Sequence, residues 1–349
     1  MEKISSKKRV QLCFDRKPLD RVPFWYGADP ETTNNLAKYF KVKTEEEVLR
    51  CMNIDFRTVR PLYIGPEMKK YPDGSSDTVW GVKRGGHYYG QALTHPLEQC
   101  NTVKDVESFS WPDDKLWDCE NIISKSGVDY NNYSIISGAW SPFFHDVADM
   151  FDMEVMFMKM VDTPEVVECA IDRCCDIYLK LSERMFKSEA GKMDMFFVGN
   201  DFGTQRGLIV SPEMWRVFFK KSLKKFCDLG KKYKLKMAIH TCGSIYDIIP
   251  DLIEIGFDAI NPVQQNVAKM EPDRLKKEFG RDTVFFGGID VHHILNNGTV
   301  KDVILETKRI TNILGEGGGY ILAPAHDYLL PEIPSVNIAA MYAAGEICG

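Results

Sequence analysis

No apolar run in this 349-residue chain approaches the roughly 18 residues that a membrane-crossing helix needs, so no membrane span is expected. The amino terminus, Met1 to Val10, is charged and has no apolar core of the secretory type, which points to a cytoplasmic protein. Basic residues form nothing longer than the short clusters between Lys220 and Lys236, and the net charge is −6, so a nucleic-acid partner is not expected. Those lysines read as a solvated helix face. Linkers rich in proline, glycine or serine are missing, as are internal repeats and low-complexity segments, and residues 1–349 therefore read as a single domain. Nor does a glycine-rich dinucleotide fingerprint follow the first apparent strand, which weighs against a doubly wound open sheet.

What is present is an ordinary globular composition, 44% hydrophobic and 27% charged, sufficient for a large core. The ten cysteines fall at irregular spacings and read as free thiols, mostly core fillers, with no disulfide framework. In the second half, short apolar runs alternate with amphipathic stretches of helical period. The runs are Met195–Val198, Met237–Ile239, Ala259–Ile260, Thr283–Phe286 and Tyr320–Ala323. Ser211-Pro212 opens a helix through Leu229, Ser244 with Asp247 suggests a capping box for one closed by Gly256, and Pro272 and Gly280 bracket a third. In the first half, Val22–Trp25 and Ser134–Ser137 read as strands, and Met150–Met160 and Pro164–Lys187 as helices. Asp77–Trp80 and His87–Gln91, flanking Gly85-Gly86, read as a small β-hairpin insertion. Strand and helix units of this length imply parallel strands with crossover helices, and the chain length suits a single (β/α)₈ TIM barrel.

In such a barrel the chemistry sits at the carboxyl ends of the strands. The residues just beyond the apolar runs are Asn200 and Asp201, His240 and Cys242, Asn261, Asp290, and His326. His240 and Cys242, two apart in extended backbone, point to the same face, where an imidazole and a thiolate can converge on one ion such as zinc, the alternative being a satisfied histidine beside a buried free thiol. His326, after the last strand, is the expected third ligand. Asp201 has four readings: orienting a ligating histidine, binding the metal itself, acting as general base, or capping a helix. Asp290 either caps a helix or faces a substrate. Asn200 and Asn261 either bind a polar substrate or satisfy strand-end backbone groups. Trp140, in the run Trp140 to His145, either walls a ligand or packs in the core. His292-His293 reads as a helix start or surface pair in preference to a metal site, and the methionines from Met150 to Met160 as packing in preference to a flexible binding surface.

The run Asn200-Asp201-Phe202-Gly203-Thr204-Gln205, then His240-Thr241-Cys242-Gly243, Asn261-Pro262-Val263-Gln264, Gly287-Gly288-Ile289-Asp290 and Tyr320 to His326, resembles the uroporphyrinogen decarboxylase superfamily. The opening Asp20-Arg21-Val22-Pro23 is similar too. The likeness is dense from about residue 195 onward and thin before residue 130, apart from Trp80-Gly81 and Trp111-Pro112.

The resemblance implies a (β/α)₈ barrel and one of two activities, decarboxylation or corrinoid-linked methyl transfer. The decarboxylase branch carries two arginines near the amino terminus that hold the porphyrinogen's acidic side chains, whereas the matching stretch here, Val22 to Pro30, has none. The branch that activates thiols uses His-x-Cys and a later cysteine as zinc ligands; His240 and Cys242 match, and His326 stands where that cysteine would be. Asn200 stands where close relatives have aspartate.

The expected function is thus a methyltransferase that exchanges a methyl group between a small donor or acceptor and a corrinoid (cobalamin) on a separate protein, assisted by zinc on His240, Cys242 and His326. Asp201 and His326 would handle protons, and Asn200, Gln205, Asn261, Asp290 and Trp140 would line the substrate site. A homodimer is compatible with this reading. The alternatives are a metal-free decarboxylase or tetrahydrofolate methyltransferase on the same barrel, or a non-catalytic binding homologue.

Overall fold

The computed structural model describes residues 4–86, 90–326 and 328–347. At its centre lies a curled parallel sheet of seven strands: β1 (Phe56–Thr58), β2 (Ser134–Ser137), β3 (Met195–Gly199), β4 (Lys236–His240), β5 (Ala259–Asn261), β6 (Val284–Phe286) and β7 (Tyr320–Ile321). Neighbours in the sheet are neighbours in sequence, with helices in the connections, as parallel pairing requires. The register pairs Gly199 with His240 and His240 with Asn261, which sets the carboxyl ends of β3, β4 and β5 side by side.

The segment expected as a first strand, Val22–Trp25, contributes a single bridge, Phe24 to Leu322, in place of a regular strand. It nevertheless bonds to both edges of the sheet. Trp25 N–H donates to Leu322 O at 3.0 Å, Leu322 N–H to Pro23 O at 2.8 Å, and Asp55 N–H to Phe24 O at 2.9 Å. The architecture is α/β and consistent with a TIM-like barrel.

Strand alternation sorts the side chains into two cores. Met195 and Phe197 point inward to a cluster with Trp25, Phe56, Ile136 and Phe286, while Phe196 and Val198 pack outward against the helices. Helix Ser6–Phe14 inserts Val10, Cys13 and Phe14 into the inner cluster, and its Lys7 N–H bonds Asn132 O, just before β2. It closes the end of the sheet where the strands begin. At the same end Asp55 is fully buried between Arg9 Nη1 at 2.5 Å and Arg21 Nη1 at 2.7 Å. The opposite end remains for chemistry.

Local signals are mostly met. Ser211 accepts from Met214 N–H at 3.2 Å to start the helix at Pro212, which runs to Lys232 through a π-turn at Arg216–Lys220. Gly256 ends Ile249–Ile255 in the left-handed conformation. The Ser244 capping box does not form, because that hydroxyl donates to Ala268 O at 2.7 Å. The helix expected over Met150–Met160 is broken at Asp152, φ 70°, whose carboxylate caps the following helix Met153–Asp162 through Glu154 N–H at 2.9 Å. Met150, Met156 and Met160 are buried as expected, but Met153 and Met158 are exposed.

The hairpin expected around Gly85-Gly86 is not established: the antiparallel strands in that region are Ser76–Asp77, Lys83–Gly85 and Gln91–Ala92, and residues 87–89 lie outside the described residues. Among the described residues no helix is long and apolar enough to cross a membrane, and the cysteines are free thiols.

Candidate functional site

The register of β3 and β4 decides what meets beyond their ends. Since Gly199 pairs with His240, the residues two further along each chain, Asp201 and Cys242, remain neighbours. Cys242 N–H donates to Asp201 Oδ1 at 2.8 Å, and Gly203 N–H to Cys242 O at 3.1 Å, so the two loops are tied backbone to side chain and backbone to backbone. Gly243 makes this possible. Its φ is 83°, and a Cβ there would fall 2.3 Å from Gly203 C, so only glycine lets the loops touch.

His240 Nε2 lies 3.3 Å from Asp201 Oδ1 and 3.4 Å from Cys242 Sγ. The donor atoms of Asp201, His240 and Cys242 all lie within 4.8 Å of one another. On its other side the ring is held by Asn261, whose Oδ1 is 2.7 Å from Nδ1. His240 is 3% exposed and faces the Trp140 ring with centroids 5.4 Å apart. Burial opposes charge on Asp201, yet hydrogen bonds and the proximity of His145 and His240 outweigh it and hold the carboxyl well below the usual range, so it is ionised. A thiol, an imidazole and a carboxylate whose ligand atoms face one another form a set that can hold a cation once the facing nitrogen is unprotonated.

His326 does not join this group. Its Nδ1 accepts Tyr328 N–H at 3.1 Å, and Gln264 spans the two loops, accepting Gly243 N–H at 2.6 Å and donating to Ala325 O at 3.2 Å. The third donor atom facing His240 and Cys242 belongs to Asp201, and His326 is not in that group.

The profile of the family described as Uroporphyrinogen decarboxylase (URO-D) matches residues 98–346. The chain belongs to the uroporphyrinogen decarboxylase family. Among solved structures it is similar to a methyltransferase from Methanosarcina mazei, at 17% identity over 99% of both chains with a TM-score of 0.65. Dispersin B also matches, at 8% identity over 94% of this chain and 98% of that one, with a TM-score of 0.44. No curated protein matches the sequence.

Several of this uroporphyrinogen decarboxylase family member's expected substrate-site residues serve the scaffold. Asn200 is 1% exposed, and its amide is committed to the neighbouring loop, donating to Ser141 O at 3.0 Å and accepting Phe144 N–H at 2.9 Å. Asp290 caps the helical turn Val291–Asn296, accepting from His292 N–H at 2.9 Å and His293 N–H at 3.1 Å. Gln205 is exposed beyond the site, at the tip of the turn closed by Thr204 N–H to Gly207 O. Asn261 touches His240 and is fully buried. Trp140 is half-buried; it packs edge-on against Phe197 at 5.3 Å, and the Arg60 guanidinium lies 5.4 Å from its ring. A Cβ at Gly199 would fall 2.1 Å from Trp140 Cζ2, so glycine there admits the indole beside His240.

Two functional neighbours went unpredicted. Gln264 lies within the motif starting at Asn261, but nothing in its spacing shows that it clips two loops. His145 Nε2 accepts Asp201 N–H at 3.1 Å and lies 3.5 Å from Asp201 Oδ2. It stands at the start of helix Phe143–Phe151, a place only the tertiary fold connects with Asp201.

The next residue, Asp146, has its carboxyl pushed up to about 7 by burial, against the opposing hydrogen bond of Tyr178, whose hydroxyl lies 2.5 Å from Oδ2. Its folded value exceeds the unfolded one, so its contribution to stability is full below about pH 4 and is lost as pH rises through 7. Asp146→Asn removes this titration. Urea denaturation of both proteins from pH 4 to 7.5 is expected to show the wild type losing stability relative to the variant as pH rises.

Proposed function

We propose that the chain is a zinc-assisted methyltransferase that exchanges a methyl group between a small substrate or acceptor and a corrinoid carried by a separate protein, at the carboxyl end of a closed (β/α)₈ barrel. The observation that carries this reading is the convergence of Asp201, His240 and Cys242 at one point. Thiolate, imidazole and carboxylate are the donor types that zinc takes, and three protein ligands leave a position for substrate. The fold shared with the Methanosarcina mazei methyltransferase, and the absence of arginine from Val22 to Pro30, favour methyl transfer over decarboxylation of a polycarboxylate.

In this proposal Asp201, His240 and Cys242 hold the ion, and His145 and Asn261 hold Asp201 and His240 in turn. Bound zinc supplies a Lewis acid that lowers the pKa of an acceptor thiol or stabilises a departing alkoxide. Trp140 covers one flank of His240 and limits water there. In the thiol direction the acceptor would lose its proton to solvent, its sulfur would take the methyl group, and the electron pair of the broken carbon–cobalt bond would remain with the corrinoid substrate.

The test is spectroscopic. Purified protein is mixed with methylcob(III)alamin and a panel of thiols, or with cob(I)alamin and methylthiol, methoxy and methylamine donors. Interconversion of the two cobalamin spectra that requires the protein and is lost with Cys242→Ala supports the proposal. No acceleration with any member of either panel rejects it. A metal-free reading draws on Asp201 lying between His145 and His240, a geometry suited to proton transfer. Full turnover after exhaustive metal removal would establish that reading in its place.

A further inference from the structure

We infer that Asn261 is a positioning residue that fixes the ring of His240 with its proton on Nδ1, reserving Nε2 for the metal. The inference rests on the metal reading above for its consequence, but not for its geometry.

His240 is nearly sealed from water, so its ring nitrogens find partners within the protein. Nδ1 faces Asn261 Oδ1 at 2.7 Å. The orientation of that amide is set from behind, because its Nδ2 faces Phe286 O at 3.5 Å. A carbonyl at Phe286 only accepts, so the amide's donor end belongs there and its acceptor end faces the imidazole. An acceptor at 2.7 Å requires a proton on Nδ1.

The consequence appears on the other side of the ring. Nε2 points toward Asp201 Oδ1 and Cys242 Sγ, the two other donor atoms of the cluster. With Nδ1 protonated, the neutral imidazole has its lone pair on Nε2, the form that ligates. Were Asn261 apolar, Nδ1 would lose this acceptor, and a proton on Nε2, which Asp201 would accept, would take the ring away as a ligand. Backbone contact reinforces the alignment, since Thr241 N–H donates to Asn261 O at 2.7 Å and holds β5 against the turn that carries Cys242. Asn261 itself is fully buried and its side-chain oxygen faces Nδ1 of His240, on the side of the ring away from Asp201 and Cys242, which makes it a positioning residue and not a catalytic one.

The experiment uses the full chain labelled with ¹⁵N-histidine and compares the wild type with Asn261→Leu, which lacks the acceptor, and Asn261→Asp, which keeps it. In metal-free wild type, long-range ¹H–¹⁵N spectra are expected to show His240 Nδ1 protonated, with a slowly exchanging proton. In Asn261→Leu that slow exchange is lost, and zinc affinity from chelator competition falls about 10- to 100-fold. In Asn261→Asp both return to within about threefold of wild type. An unprotonated Nδ1 in the metal-free wild type overturns the inference, as does equal zinc affinity in wild type and Asn261→Leu. Should Asn261→Leu fail to fold, the wild-type spectrum decides alone. Failure of the wild type to bind zinc at all, with Nδ1 protonated, rejects the metal reading and leaves the Asn261–His240 bond standing.

Discussion

Asp201→Asn is expected to weaken zinc binding by more than about 100-fold, while His326→Ala changes it by less than about tenfold. Losing an outer partner of a ligand costs about 10- to 100-fold, so losing the charge of a ligand itself must exceed that range. Asparagine is the informative replacement because it keeps the oxygen that accepts Cys242 N–H at 2.8 Å, so the two loops stay joined. What disappears is the negative charge that His145 and His240 stabilise. The contrast with His326 follows from the donor atoms, three of which meet within 4.8 Å without it. Chelator competition on the three proteins measures both values. A His326→Ala variant with the greater loss would return the third ligand to the last strand.

The second large effect is on stability. Asp55→Ala leaves the guanidinium groups of Arg9 and Arg21 buried without the carboxylate that lies 2.5 and 2.7 Å from them. Breaking a buried ion pair by deleting one partner costs about 3–5 kcal/mol, since the remaining charge has no water to replace it. Asp55 also accepts Phe24 N–H at 2.8 Å, so the segment that spans both sheet edges loses an anchor. Arg9 retains Asp20 at 2.7 Å and Arg21 retains Glu346 at 3.0 Å, which keeps the loss within that range. For a chain of this length the expected fall in Tm is about 4–7 °C by calorimetry. A fall below about 1 °C would show that the network contributes little.

How much of this was legible beforehand depends on whether a feature is local. The pairing of His240 with Cys242 was visible because extended backbone puts alternate residues on one face, and the structure places Nε2 and Sγ 3.4 Å apart. Helix starts at Pro212 and Pro272 were equally local. Asp201 was recognised as chemically competent, but its place beside Cys242 follows from Gly199 pairing with His240, a register that no sequence pattern encodes. His326 looked equivalent because it too follows a strand, and its loop is clipped to that of Cys242 through Gln264, but the three facing donor atoms are those of Asp201, His240 and Cys242. His145 was hidden for the same reason. Asn200 and Asp290 have side chains suited to substrates, and tertiary structure commits them to backbone groups instead. The family resemblance implied a TIM-like barrel, with which the curled parallel sheet is consistent, while the short first segment at Phe24 depended on a partner far away in sequence.

The most direct test of the site is the metal content of protein purified without chelator, alongside Cys242→Ala. One zinc per chain in the wild type, with a sulfur neighbour near 2.3 Å in its X-ray absorption spectrum, is expected, and loss of most of that zinc in the variant. Wild-type protein that neither contains zinc nor takes it up, or a Cys242→Ala variant that retains it fully, would contradict the account.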